Sequence, residues 1–252
     1  MKAERADTVA RFNERAQDYA RYRPSYPSEA IDAIFEGLGA PKRLHVVDVG
    51  AGTGISMRLL AERGADVLGI EPNDEMRAVA EAAGLNVRSG MAGALDLASA
   101  SVDVVACFQA FHWFAVAETV AEFVRVLRPG GRIAVVFNER DDKDPFTLSF
   151  GTIVDGCRDR MAIAGFRNGS QIISDLLAGP GLSGARLQSY RNSQYFDYDA
   201  LLGRVRSTSY APREGQEYDK MTADLKSLFE RFASDGEIEM VYRTDVYLAD
   251  RL

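Results

Sequence analysis

Val46-Val47-Asp48-Val49-Gly50-Ala51-Gly52-Thr53-Gly54 is an apolar run that stops at Gly50 and then places a glycine at every second position. An acid, Glu71, closes a second apolar stretch 17 residues after Gly54. This combination suits nucleoside chemistry. Glycines permit positive φ and close approach of the backbone to a ligand. A helix starting after the last glycine offers unpaired N–H groups and a partial positive charge to an anionic ligand group. A carboxylate at the end of the next strand can accept two hydrogen bonds from a ribose diol, and its spacing is near the roughly 20 residues expected for that role.

The elements that must position these groups follow from pattern. Val46–Val49 reads as a buried strand and Ile55–Arg63 as a helix capped by Gly64. Asp66–Ile70 reads as a second strand, which completes a βαβ unit. Asn73 is suited to N-cap a helix to Ala83, with Asp74 and Glu75 in its first turn. Leu85–Ser89 is a short third strand. Val102–Phe108 is almost wholly apolar, as a strand buried on both faces of a parallel sheet should be. It runs into Gln109-Ala110-Phe111-His112-Trp113-Phe114, a set of side chains ill suited to a simple turn but placed where a ligand would lie. A helix over Val116–Val126, the Arg128-Pro129-Gly130-Gly131 break and a fifth strand over Arg132–Phe137 follow.

The glycine spacing discriminates between ligands. It is D-x-G-x-G-x-G, with Ile55 where a dinucleotide fingerprint would carry its third glycine. The run resembles the S-adenosyl-L-methionine (SAM) site of class I methyltransferases, whose acid ending strand 1, G-x-G-x-G turn and acid ending strand 2 are all present. The resemblance implies cofactor contacts from Asp48, Gly50, Ala51, Gly52, Gly54 and Glu71, with Pro72 and Met76 behind the acid. Met91 and Ala92 stand where the family lines the adenine, but no acid stands beside them for the adenine amino group.

Two further strings are similar to a small-molecule group of that family, methyltransferase type 11 and the trans-aconitate methyltransferase-like enzymes. One is Y-x-x-Y-R-P-x-Y-P, Tyr19 to Pro27; the other is A-x-x-Q-A-F-H-W-F, Ala106 to Phe114. The first implies that Tyr19 and Arg23 reach the cofactor, with Tyr22 and Tyr26 toward the substrate. The second implies that Gln109 contacts SAM near its methionine part and that His112 and Trp113 face the transferred methyl. His112 is the one histidine placed for acid–base work. Glu139, after strand 5, and Tyr210, in a Ser-x-Ser-Tyr-x-Pro element, are candidate substrate contacts. The resemblance supplies no metal site.

Around this core, the spacing of Val9, Phe12, Ala16 and Tyr19 predicts an amphipathic helix over Ala3–Tyr19. Two prolines, Pro24 and Pro27, then force an extended segment, and Ser28 is placed to cap a helix to about Leu38. After Asp144-Pro145, helices are expected over Phe146–Met161, Gln171–Ala178, Tyr198–Arg206 and Gln216–Ala233, with strands over Ala185–Tyr195 and Ile238–Leu248. The expected fold is α/β: a Rossmann-like, doubly wound, seven-stranded, mostly parallel sheet with a helical cap insertion. The expected division is an N-terminal arm over the cofactor (1–40), a SAM-binding core (41–140), and a cap with the last two strands (141–252).

The 252 residues suffice for a large core, and 46% hydrophobic with 27% charged residues is ordinary globular composition. A net charge of −7 leaves no cationic surplus for nucleic acid. Cys107 and Cys157 form no metal motif or disulfide framework. No run of 18 apolar residues exists. The reading is a cytoplasmic monomer or homodimer that transfers a methyl group to a small-molecule acceptor and releases S-adenosyl-L-homocysteine (SAH). A non-catalytic SAM-binding regulator and a protein or RNA methyltransferase are the alternatives.

Overall fold

The computed structural model describes residues 16–156, 169–208 and 211–252. They form a seven-stranded sheet of order β3-β2-β1-β4-β5-β7-β6. The strands are β1 (His45–Val49), β2 (Asp66–Ile70), β3 (Val87–Arg88), β4 (Val102–Phe108), β5 (Leu127–Arg140), β6 (Leu182–Phe196) and β7 (Ile238–Arg251). The first five run parallel; β7 pairs antiparallel with both β5 and β6. The helices, in chain order, are α1 (Ala16–Tyr22), α2 (Ser28–Phe35), α3 (Ile55–Glu62), α4 (Asp74–Ala82), α5 (Ala117–Val126), α6 (Pro145–Asp155), α7 (Gly169–Leu177), α8 (Tyr198–Arg206) and α9 (Gly215–Phe232).

The apolar run of β4 is explained by its place between β1 and β5. Val104, Ala106 and Phe108 join the core on one face of the sheet, and Val105 and Cys107 join the core on the other. The chain winds outward from β1 to β2 and β3, then crosses back so that β4 pairs with the other side of β1. This reversal leaves a crevice beyond the carboxyl ends of β1 and β4, the usual ligand position in such sheets.

A third core lies beyond the sheet. β7 starts at Ile238, past the end of β5, whose Arg140 pairs with Tyr242. Ile238, Met240 and Tyr242 therefore pack with Phe146 and Phe150 of α6, Leu201 and Val205 of α8, and Met221 and Leu225 of α9. The later part of β7 (Val246, Leu248) enters the main cores. One long strand thus carries both the sheet and the helices above it.

Local signals settle several boundaries. The Asn73 carboxamide accepts from Met76 N at 2.9 Å, and Asp144 accepts from Thr147 N at 2.7 Å, as N-caps do. Other expectations need correction. α1 runs on to Tyr22, past the end expected at Tyr19. Pro27 is the N-cap residue of α2 and makes no side-chain cap, so Ser28 is already helical; α2 ends at Phe35 and not near Leu38. β3 shrinks to two residues. β5 begins at Leu127, opposite Val102, and the Arg128–Gly131 stretch is an irregularity within it. β6 and β7 run longer than their apolar patterns, because antiparallel partners keep pairing where alternation has faded. The Ala3–Tyr19 helix before residue 16, and the end of the Phe146–Met161 helix after Gly156, lie outside the described residues. Among the described residues no helix is long and apolar enough to cross a membrane.

Candidate active site

A cavity of about 390 Å³ opens at the carboxyl ends of the strands. Its floor is the glycine turn: Val49, Gly50 and Gly52 line it, with Ile70, Glu71, Pro72 and Asn73 on the β2 side. Gly50 and Ala51 donate backbone hydrogen bonds to Ile70 O (2.8 and 3.2 Å), which fixes the turn against β2.

The three glycines act differently. Gly50, Gly52 and Gly54 all have positive φ, 77°, 55° and 81°. A Cβ on Gly50 would lie 2.5 Å from Ala110 Cβ, and one on Gly54 would lie 2.1 Å from Leu85 Cδ1. Those two are glycine because the protein packs on them. A Cβ on Gly52 would meet only Met76 Sδ at 4.0 Å, and both residues line the cavity. Gly52 therefore keeps the cavity side of the turn clear. Gly52→Val is expected to abolish cofactor binding in calorimetry while lowering stability by about 1–2 kcal/mol, the cost of left-handed backbone at a residue with a side chain. Wild-type affinity in this variant would remove Gly52 from the ligand surface.

Glu71 is buried. Oε2 accepts from Gly52 N and Oε1 from Asn73 N, each at 2.9 Å. Burial raises its pKa, opposed by these two backbone bonds and by the nearby Arg77 charge. Each carboxylate oxygen keeps a second lone pair, so the group that holds the turn can still accept from a diol.

Asp48 has no exposed surface and does not line the cavity. It lies under the turn, where Oδ2 accepts from Ser56 Oγ and Oδ1 has no hydrogen-bond partner among the described residues. Burial, partly offset by the Ser56 hydrogen bond, pushes its pKa to about 7. The acid that the pattern marks for cofactor contact is a buried group one layer below the surface. Ala51 and Gly54 are likewise buried off the cavity wall.

The opposite wall comes from Gly90, Met91 and Ala92, from Phe108 to Ala110, and from Trp113 and Phe114. Gln109 adopts a left-handed φ of 53°, and its Nε2 donates to Asn138 O at 3.0 Å. Trp113 and Met91 stay about half exposed at the rim. The His112 ring lies beside Trp113 (4.5 Å between centroids) and Phe137 (5.8 Å), next to the wall but not on it.

From the N-terminal arm, Tyr19 lines the cavity. The Arg23 guanidinium stacks over Tyr19 at 4.9 Å and donates to Ser207 O at 3.0 Å, so it braces the wall from behind. Tyr22 and Tyr26 do not reach the cavity. Tyr22 packs on Gly203 of α8, where a Cβ would lie 2.3 Å from its ring. Tyr26 meets Phe108 edge-on at 4.8 Å. Glu139 is exposed, paired across the strands with Arg243, and is not on the wall. Tyr210 lies outside the described residues. The wall also contains residues that pattern reading passed over: Asn73, read only as a cap, and Val116, Glu118 and Thr119 at the start of α5. The signal for the latter is their position just beyond the β4 aromatic run.

The family model described as "Methyltransferase domain" matches residues 47–135, the span from β1 to β5. The uncharacterized methyltransferase Rv3342 of Mycobacterium tuberculosis is 40% identical over 169 residues, 65% of this chain and 68% of that one. The chain belongs to the class I SAM-dependent methyltransferases. The uncharacterized methyltransferase C25B8.09 of Schizosaccharomyces pombe is 27% identical over 244 residues, 93% of this chain and 94% of that one. The solved structure of YcgJ from Bacillus subtilis, 16% identical, matches 89% of this chain and 99% of its own with a TM-score of 0.54, a likeness of fold. As a class I methyltransferase the enzyme uses SAM as its cofactor. The cavity residues fit it: an uncrowded Gly52, a buried carboxylate with lone pairs to spare, and aromatic and thioether faces suited to an adenine ring and a sulfonium.

Proposed function

We propose that the enzyme methylates a small-molecule acceptor in the cavity described above. The observation that carries this reading is the contribution of the N-terminal arm to the cavity wall. Tyr19 lines the cavity, and the arm behind it is tied to the sheet and α8 at several points. Asn138 Nδ2 and Asn192 Nδ2 donate to Ser25 O at 3.0 and 2.7 Å, and Gln194 Nε2 donates to Tyr22 O at 3.2 Å. A cavity of about 390 Å³ with an arm residue on its wall suits a compact acceptor better than a polymer, and the net charge of −7 gives no electrostatic pull on nucleic acid.

In this reading the backbone of the Gly50–Gly52 turn and the Glu71 carboxylate hold the nucleoside, and Met91 and Ala92 pack on the adenine. Tyr19 and Gln109 border the methionine part. When bound, SAM supplies an electrophilic methyl group that an acceptor lone pair takes by in-line displacement, with SAH as the leaving group. The chain's own contribution is to hold acceptor and cofactor in line and to exclude water, and orientation of this kind can supply about 7–11 kcal/mol. Trp113 forms the aromatic border of the reacting region. His112, beside it and off the wall, takes the acceptor proton where the acceptor is a hydroxyl and its ring turns toward the cavity; a carboxylate acceptor needs no base.

The test is transfer of labelled methyl from SAM to the dialysable fraction of a cell extract. Label found only in macromolecules would overturn the small-molecule reading. His112→Ala is expected to lower kcat by about a hundredfold or more, from the low end of general acid–base effects upward, with SAM affinity unchanged. A loss of SAM affinity alone would place His112 in the cofactor pocket.

A further inference from the structure

Among the described residues, the cavity wall carries two acidic side chains, Glu71 and Glu118, and no cationic one. Both oxygens of Glu71 already accept from the backbone, at Gly52 N and Asn73 N. Glu118 differs. It is exposed, and it makes no hydrogen bond or ion pair with any described residue. It stands in the first turn of α5, where a carboxylate gains from the helix dipole. That gain is the same on every side of the helix, so it does not explain a place on the cavity wall.

The packing of α5 does explain it. Glu122, one helical turn after Glu118 and on the same face of α5, accepts from Leu95 N at 2.7 Å. Arg125 Nη2 donates to Leu95 O at 3.1 Å and pairs with Glu122. These bonds staple α5 to the segment that leads from Gly90 to Leu95. Nearer the cavity, a Cβ on Gly93 would lie 3.9 Å from Thr119 Oγ1. Ala94 N donates to Met91 O at 3.1 Å, which closes a tight turn whose residues, Gly90 to Ala94, all line the cavity. Glu118 thus shares this wall with Met91 and Ala92. The turn has no acid of its own, and Asp96, the next one along the chain, is not on the wall.

We propose that the Glu118 carboxylate accepts a hydrogen bond from the 6-amino group of the cofactor's adenine, and so selects a 6-amino over a 6-oxo purine. This rests on the packing of the adenine against Met91 and Ala92 proposed above. The adenine amine is a donor only and an ionised carboxylate an acceptor only, so the two match. A 6-oxo group would set its lone pairs against the carboxylate. A site that pairs with a ligand N–H rejects the analogue lacking it, because its own polar group is then left unpaired.

The test is calorimetric titration of wild type, Glu118→Gln and Met91→Ala with three ligands. They are SAH, its 6-oxo analogue S-inosyl-L-homocysteine, and 5′-methylthioadenosine, which keeps the adenine but lacks the amino acid. Both substituted residues are exposed, so both variants are expected to fold. The preference for SAH over the 6-oxo analogue is expected to fall at least tenfold from wild type to Glu118→Gln, because a carboxamide can turn its N–H toward a carbonyl. A smaller change overturns the proposal, since loss of a first-turn charge alone would leave the preference intact. Glu118→Gln is expected to change the affinities for SAH and 5′-methylthioadenosine by the same factor. A loss confined to SAH would place Glu118 at the amino-acid end of the ligand and overturn the proposal as well. Met91→Ala separates this contact from the adenine placement. It is expected to weaken 5′-methylthioadenosine by about two- to tenfold, the range of a thioether–aromatic contact. Weakening here with an unchanged preference in Glu118→Gln defeats the Glu118 contact alone. Neither effect would remove the adenine from this wall altogether.

Discussion

Glu71→Ala is expected to weaken SAM binding at least tenfold, about 1.4 kcal/mol, and to lower the unfolding free energy at the same time. Both effects come from one carboxylate. Its two oxygens accept from Gly52 N and Asn73 N, and so tie the glycine turn to the start of α4. Asn73 is buried, so its N–H would lose its acceptor without gaining water. An abandoned buried donor costs about 1–3 kcal/mol. Calorimetric titration well below the variant's Tm measures the affinity, and denaturant unfolding measures the stability. Reduced stability with wild-type affinity would mean that Glu71 only ties the turn and that the ribose is held elsewhere.

Asp48→Asn is expected to change how stability responds to pH. The Asp48 pKa is raised by burial from 3.8 to about 7, so between about pH 4 and pH 7 the folded enzyme holds a proton that the unfolded chain has released. Stability therefore falls as pH rises through this window. The full gap is worth about 4 kcal/mol. Asparagine can still accept from Ser56 Oγ but cannot ionise. The variant should show a much flatter unfolding free energy between pH 4.5 and 7.5, with Glu71, also raised by burial, supplying what slope remains. Urea unfolding at several pH values measures both slopes. Parallel curves for wild type and variant would show that Asp48 is ionised throughout and that its burial is matched by a partner.

The architecture was legible because its signals are local and strong. The almost wholly apolar β4, the Asn73 and Asp144 caps, and the pairing of a glycine turn with Glu71 each admit few alternatives, and the sheet and the glycine turn followed from them; SAM came from the resemblance of the glycine spacing to its family. What sequence could not separate was proximity in chain from proximity in space. Asp48 and Gly54 belong to the same motif as Gly52, yet one lies under the turn and the other packs on Leu85. Tyr19, Tyr22 and Tyr26 share one tyrosine-rich string, but the turn of α1 sends Tyr19 to the cavity and Tyr22 to Gly203. Side-chain direction depends on where α1 ends, and the prolines marked that end only to within a few residues.

Calorimetric titration with SAM and SAH, run side by side on wild type and Gly52→Val, tests most directly the claim that this cavity holds the cofactor. The expected result is one-to-one binding of both ligands to wild type and none to a Gly52→Val enzyme that unfolds cooperatively. Equal binding by both proteins would put the cofactor somewhere other than over the glycine turn.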